Sequence, residues 1–325
     1  MHEAGATDPP AYWVDVERSE TCQAQLDLVP GGCRVLEIGA AGGHMTEALS
    51  KRGCQVTAVE VDESLAKSAR RFSTRLIVVD VESTAFESHL EHEKFDVILL
   101  GDVLEHLRDP EAFLRRLRPH LTDYGYLVVS LPNVAHGAVR LSLFDGRFDY
   151  QPTGLLDRTH LRFFTLVSLS AMFQKADYLI SELHRIRRGF FNTEIPIDPA
   201  TVPVATIRLL CRSPEAATYQ FVFRALSKEL PLTAHTPNRS SATRSPSDAR
   251  WLATEALHNY ERLARKALFG PTLDPRRARR LLYRAFVLAP SLWRLGRLCV
   301  SLLPCGIVHN LGRIYDRVYH RREAR

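Results

Sequence analysis

The sequence predicts an α/β fold built on a doubly wound, largely parallel sheet, with a helical extension at its C-terminal end. Three observations lead there. Short apolar strands alternate with amphipathic helices through the first 130 residues. The first strand runs straight into a glycine-rich turn that opens a helix. After a polar stretch rich in Ser, Thr, Pro and Asn, apolar residues recur at helical spacing from residue 252 onward.

Val35-Leu36-Glu37-Ile38 is the first strand. Gly39-Ala40-Ala41-Gly42-Gly43 is the turn before a helix over residues 45–52. Absent side chains let a ligand approach the backbone of such a turn, and the helix start offers unpaired N–H groups. Val56-Thr57-Ala58-Val59-Glu60 and Leu76-Ile77-Val78-Val79-Asp80 are the second and third strands, each closing on an acid. Residues 95–102 are the fourth, ending in Gly101-Asp102. Asp109-Pro110-Glu111 starts a helix with an N-cap acid, a proline at the first helical position and a further acid in the first turn. Residues 124–131 are the fifth strand, 133–144 a short helix and 166–175 another helix. Residues 178–186 and 218–225 complete a set of seven strands. Between those two, residues 190–217 form an insertion in which 202–212 have helical character.

The organisation expected is a main domain over 1–226, a polar linker over 227–250 and a basic amphipathic tail over 251–325. Leu252, Ala256, Leu257, Tyr260, Leu263, Ala264, Ala267 and Leu268 line one helix face in the tail. Leu311, Ile314, Tyr315, Val318 and Tyr319 line another, beside a separate row of Arg313, Arg317 and Arg321.

Composition narrows the function classes. A 325-residue chain that is 45% hydrophobic can bury a large core and exceeds one ordinary domain. The six cysteines show no C-x-x-C spacing, which argues for a reducing compartment and against structural zinc. The first residues carry no basic and apolar leader pattern, and no apolar run reaches the ~18 residues of a membrane span. A cytoplasmic location is expected. Charge is segregated: residues 251–325 hold 15 Lys/Arg against 5 Asp/Glu, and subtracting that +10 from the chain's +6 leaves −4 for residues 1–250. Nucleic-acid binding by the main domain is therefore disfavoured.

The order of these elements resembles the class I S-adenosylmethionine-dependent methyltransferases over roughly residues 10–226, implying a Rossmann-like seven-stranded sheet. Spacing in Glu37-x-Gly39-x-Ala41-x-Gly43 follows that family and departs from the dinucleotide pattern G-x-G-x-x-G. The resemblance implies S-adenosylmethionine as cofactor. Its methionine part would lie at Gly39, Ala41 and Gly43, its ribose hydroxyls on Glu60, and its adenine beside Asp80 and Val81, with Glu37 and Gly101 as further cofactor contacts. A carboxylate suits the diol because it accepts two hydroxyl protons at once. Ala41 stands where the family has its middle glycine. Three further blocks, 101–110 (GDVLEHLRDP), 130–137 (SLPNVAHG) and 155–165 (LLDRTHLRFFT), are similar to a bacterial group of such enzymes. Many of its members accompany glycosyltransferases in glycan assembly. That implies O-methylation of a sugar, glycan or other small polar metabolite, with N-methylation or RNA 2′-O-methylation as alternatives.

Asp102, Glu105, His106, His136 and His160 follow the fourth and fifth strands, on the side where open α/β sheets bind ligands. Three readings compete for them. His106, His136 or His160 is a general base, a task suited to a pKa near neutrality. Alternatively Asp102, Glu105, His106 and His160 hold a divalent cation, magnesium or manganese, that acidifies the acceptor hydroxyl. Asp102-x-x-Glu105-His106 resembles the metal cluster of small-RNA 2′-O-methyltransferases and of ubiquinone-pathway O-methyltransferases. In the third reading the group only braces its loop. For the basic tail the expectations are self-packing, contact with an anionic membrane surface, or contact with a glycosyltransferase. A non-catalytic scaffold recruiting partners through that tail is the rival from outside the enzymes.

Overall fold

A computed structural model describes residues 15–213, 215–228, 246–269 and 274–288. Among the described residues seven strands are present: β1 (Arg34–Ile38), β2 (Gln55–Glu60), β3 (Arg75–Val78), β4 (Phe95–Gly101), β5 (Leu121–Pro132), β6 (Tyr178–Arg187) and β7 (Thr218–Ser227). They form one sheet in the order β3-β2-β1-β4-β5-β7-β6. The first five strands pair in parallel, and β7 runs antiparallel to both β5 and β6. This is the doubly wound sheet expected from the strand–helix alternation, in the Rossmann-like form that the resemblance implies.

Side-chain alternation along the strands builds two cores, one on each face. Leu36, Ile98, Leu100, Leu127, Val129, Phe221 and Phe223 enter one cluster. Val35, Val97, Leu99, Val128 and Val222, their neighbours in sequence, enter the other. Burial on both faces explains why these strands read as continuous apolar runs.

Several helices start where the sequence supplies caps. Ser19 accepts from Cys22 N–H to open α1 (Glu20–Asp27), and Asp62 accepts from Ser64 and Leu65 N–H to open α3 (Glu63–Ala69). Between them α2 (His44–Lys51) begins directly after Gly43. A short α4 (Phe86–Leu90) precedes β4. Asp109 accepts from Ala112 N–H at the start of α5 (Pro110–Leu117). The predicted helix over 133–144 begins later, as α6 (Gly137–Phe144), because Asn133 is drawn into a bridge with Phe164. A reciprocal Thr165–Ser168 capping box opens α7 (Leu166–Lys175).

The insertion contains α8 (Val204–Cys211), and beyond the polar stretch lie α9 (Pro246–Phe269) and α10 (Pro275–Leu288). Thus α9 begins inside the segment expected to be linker, and Ser227 at its other end closes β7; residues 229–245 and the tail residues from 289 on lie outside the described residues. The chain divides into two compact units that do not follow linear boundaries. One comprises 1–135, 150–187 and 218–242, and the other 136–149, 188–217 and 243–325. In the second unit Leu257, Tyr260, Ala264 and Ala267 of α9 pack with Ala278, Leu281, Leu282 and Ala285 of α10. Among the described residues no helix is long and apolar enough to cross a membrane. Cys22, Cys33, Cys54 and Cys211 are free thiols.

Candidate functional site

The turn after β1 is pinned on three sides. Gly39 and Ala40 donate their N–H groups to Val59 O, at 2.9 and 3.0 Å. A Cβ on Gly43, whose φ is +83°, would fall 2.6 Å from Ala69 Cα, so only glycine lets the turn approach α3 this closely. Ala41 adopts a φ of +45°, a region disfavoured for a residue with a Cβ, and its N–H donates to Glu60 Oε2 at 2.7 Å. The conformation that the middle glycine would take freely is thus held here by a hydrogen bond from the next strand.

Glu60 ends β2, almost fully buried, and its Oε1 also accepts the N–H groups of Val61 and Asp62, at 2.8 and 2.9 Å. A carboxylate offers about four acceptor positions, so three are taken and one remains. One hydroxyl of a diol fits directly, and a second must displace one of the three N–H donors. Glu37 lies on neighbouring β1, also buried, and accepts from Thr46 Oγ1 at 2.7 Å. Burial pushes its carboxyl up to about 7, with Thr46 opposing and the Glu60 charge adding to the rise. Asp80 lies two residues beyond β3, exposed, and its Oδ1 accepts the Glu82 N–H at 2.9 Å. Val81 packs on the core beside it. Gly101 closes β4, where a Cβ would come within 2.9 Å of Gln25 Nε2. All of these follow or close the carboxyl ends of β1 to β4, as the topology requires.

Asp102 stands at the head of a polar network that local sequence patterns did not reveal. Its φ is +55°. Its Oδ1 accepts from Ser130 Oγ at 2.7 Å and from Gln220 Nε2. Ser130 Oγ accepts from the Asp102 N–H and from Gln25 Nε2, both at 3.1 Å, and Thr21 Oγ1 donates to Gln220 Oε1 at 2.6 Å. Solvent reaches Asp102, yet the surrounding protein pushes its carboxyl upward while Ser130 and Gln220 oppose the shift. The signal that could have found these partners is a buried polar residue interrupting an apolar segment: Gln25 in α1, Ser130 in β5, Gln220 in β7.

Glu105 and His106 lie in a 3-10 turn (Leu104–His106) just after β4. The Glu105 carbonyl accepts the N–H groups of Leu161 and Arg162, at 2.8 and 3.0 Å, and so docks the segment carrying His160. His106 Nδ1 lies 3.2 Å from Thr159 O, and the His106 and His160 rings meet edge-on with centroids 4.9 Å apart. Glu105 is 0% exposed, and neither carboxylate oxygen has a hydrogen-bond partner; the same holds for buried His160 Nδ1. One ligand atom each from Glu105, His106 and His160 lie within 4.8 Å of one another. Burial drives the Glu105 carboxyl well above its ordinary value, reinforced by the Asp102 charge, and lowers His160 to about 4. Asp102 stays outside this trio, since Ser130 and Gln220 hold its carboxylate elsewhere.

His136 has a different place. It caps α6 in the other unit, fully buried. Its Nδ1 accepts the Ala138 N–H at 3.2 Å, and its Nε2 donates to Arg188 O at 2.9 Å. Both ring nitrogens are used, which leaves neither for a substrate proton. Phe164 is core, and Phe163 is half-buried beside the His160 ring.

Residues 14–183 match the family described as methyltransferase domain. Among curated proteins, the chain is 30% identical over 149 residues to the ubiquinone biosynthesis O-methyltransferase of Xanthomonas axonopodis pv. citri (strain 306), covering 45% of this chain and 62% of that one. It is 36% identical over 104 residues to the enzyme of the same name from Bradyrhizobium diazoefficiens, covering 32% and 41%. The chain thus spans less than two thirds of the length of these relatives. Among solved structures it is similar to an S-adenosylmethionine-dependent methyltransferase from Mesorhizobium loti, at 15% identity, 65% and 99% coverage and a TM-score of 0.45. It is also similar to the magnesium protoporphyrin IX methyltransferase of Synechocystis PCC 6803, at 13% identity, 64% and 80% coverage and a TM-score of 0.43.

Proposed function

The chain belongs to the methyltransferase-domain family, which matches it over residues 14–183, and from that premise we propose that it transfers the methyl group of S-adenosylmethionine to a hydroxyl oxygen of a small polar acceptor. The observation that carries this reading is the pair of buried carboxylates, Glu37 and Glu60, against a glycine turn at the carboxyl edge of the sheet. Bound there, the cofactor supplies an electrophilic methyl group on a cationic sulfur. Glu60 has one acceptor position ready for a ribose hydroxyl.

In the transfer the S–CH3 bond breaks, an O–CH3 bond forms, and the hydroxyl proton leaves. The chain's part is to orient the acceptor and take that proton. Asp102, fixed by Ser130 and Gln220, is a positioned acceptor at the end of β4. Just after the same strand His106 meets the ring of His160, whose pKa burial lowers to about 4. The shared name of the relatives supports oxygen as the atom methylated. A sugar or glycan hydroxyl is the acceptor class suggested by the three motif blocks at 101–110, 130–137 and 155–165. The acidic balance of residues 1–250 weighs against RNA.

A second reading rests on Glu105. A fully buried carboxyl whose oxygens find no partner is costly unless it keeps a proton or meets a cation. Glu105, His106 and His160 fit a divalent ion, magnesium or manganese, which would lower the pKa of an acceptor hydroxyl.

Calorimetry with S-adenosylmethionine tests the primary reading. The wild-type protein is expected to bind, and Glu60→Ala to weaken binding by about 10- to 100-fold, the scale of lost charge-assisted hydrogen bonds. Unchanged affinity would release Glu60 from its role. No binding by folded wild-type protein would leave the non-catalytic scaffold.

A further inference from the structure

The described part of the tail carries a charge pattern that the methyltransferase reading does not use. On α10, Ala278, Leu281, Leu282 and Ala285 are buried, and the opposite face presents Arg276, Arg280 and Tyr283 at spacings of four and three residues. On α9 the face away from its buried residues presents His258, Arg262 and Lys266, again one turn apart. Arg262, Lys266, Arg276 and Arg280 are exposed cations of these two helices, with half-buried Glu261 on α9 and exposed Asp274 just before α10. Local pairing does not account for the stripe: Arg277 meets Asp198 and Arg284 meets the Pro199 carbonyl, while Arg276 and Arg280 face solvent.

We propose that α9 and α10 form a docking surface for an anionic lipid bilayer, with Arg276 and Arg280 of α10 as its electrostatic contacts and Tyr283 as its interfacial aromatic. Charge complementarity selects an anionic partner. Two further features select lipid over nucleic acid. Tyr283 is 58% exposed within the arginine stripe, an apolar ring with a polar tip that suits a headgroup layer. The sequence that follows, Ser291-Leu292-Trp293-Arg294-Leu295-Gly296-Arg297-Leu298, continues the mixture of arginine with large apolar residues.

Vesicle flotation of the full chain tests this. Phosphatidylcholine vesicles with about one-third phosphatidylglycerol are expected to carry the protein upward at low salt, pure phosphatidylcholine vesicles are not, and about 0.5 M NaCl is expected to release it. Each arginine near such a surface contributes about fivefold in partition, so Arg276→Gln/Arg280→Gln is expected to lower the partition coefficient about 30-fold. Both residues lie on the exposed face, so the melting temperature should not change, and Tyr283→Ser gives an independent loss without a change in charge. Equal binding to neutral and anionic vesicles, or salt-sensitive binding that the double variant leaves intact, would overturn the assignment. So would tighter retention of a single-stranded RNA than of anionic vesicles.

Discussion

Glu37→Gln separates the electrostatics of the site from its packing. Glu37 is buried on β1 with Thr46 Oγ1 as its donor, and its carboxyl is raised from 4.5 to about 7, mainly by burial. Between those values the unfolded chain is ionised at this position while the folded chain keeps the proton. Folding then takes up a proton, and stability falls as pH rises. A displacement of about 2.5 pH units at 1.36 kcal/mol each makes the loss about 3 kcal/mol by neutral pH, with no further change above it. Glutamine keeps an oxygen for Thr46 and cannot ionise. Its buried amide adds a cost of its own, about 1–3 kcal/mol, but one independent of pH. The informative quantity is therefore the difference between the two proteins across pH. Urea unfolding at pH 5, 6, 7 and 8 is expected to show the variant gaining on wild type by about 3 kcal/mol, or about 1–3 M in midpoint at an ordinary denaturant slope. Parallel profiles would refute the burial argument and place a compensating cation or solvent beside Glu37.

Two further predictions concern the same edge of the sheet. Gly43→Ala places a Cβ against the α3 backbone at a positive φ, and is expected to cost about 3 kcal/mol in chemical unfolding; an unchanged midpoint would mean the turn can shift as a body. For the Glu105 trio, manganese titration followed by electron paramagnetic resonance is expected to show binding that Glu105→Gln abolishes. Free-ion signal throughout with wild-type protein would end the cation reading and leave Glu105 as a buried, protonated carboxyl.

Much of the site was legible because its signals are local. Glu60 follows an apolar run and precedes a helix cap, and Gly43 interrupts a strand–helix transition, so each is visible within about ten residues. His160 was visible only as a histidine in a motif block. Its approach to His106 depends on two N–H groups of its own loop finding the Glu105 carbonyl. The Ser130–Asp102–Gln220 contacts escaped for a similar reason: β5 and β7 are neighbours in the sheet, and sequence order does not say so. His136 shows the converse error, since a histidine in a suggestive motif turned out to be a helix cap with both nitrogens committed.

Alternation of apolar residues, cap chemistry and glycine placement determined by themselves that seven strands would form and at which edge of the sheet the candidate site would gather. Those are short-range preferences of backbone and side chain, and neighbouring residues suffice to express them. Tertiary structure alone decided which polar groups share a hydrogen bond, which carboxylates lose their water, and which segments join α9 and α10. Each of these depends on burial and on contacts between residues tens to hundreds of positions apart, and no local pattern encodes such a distance.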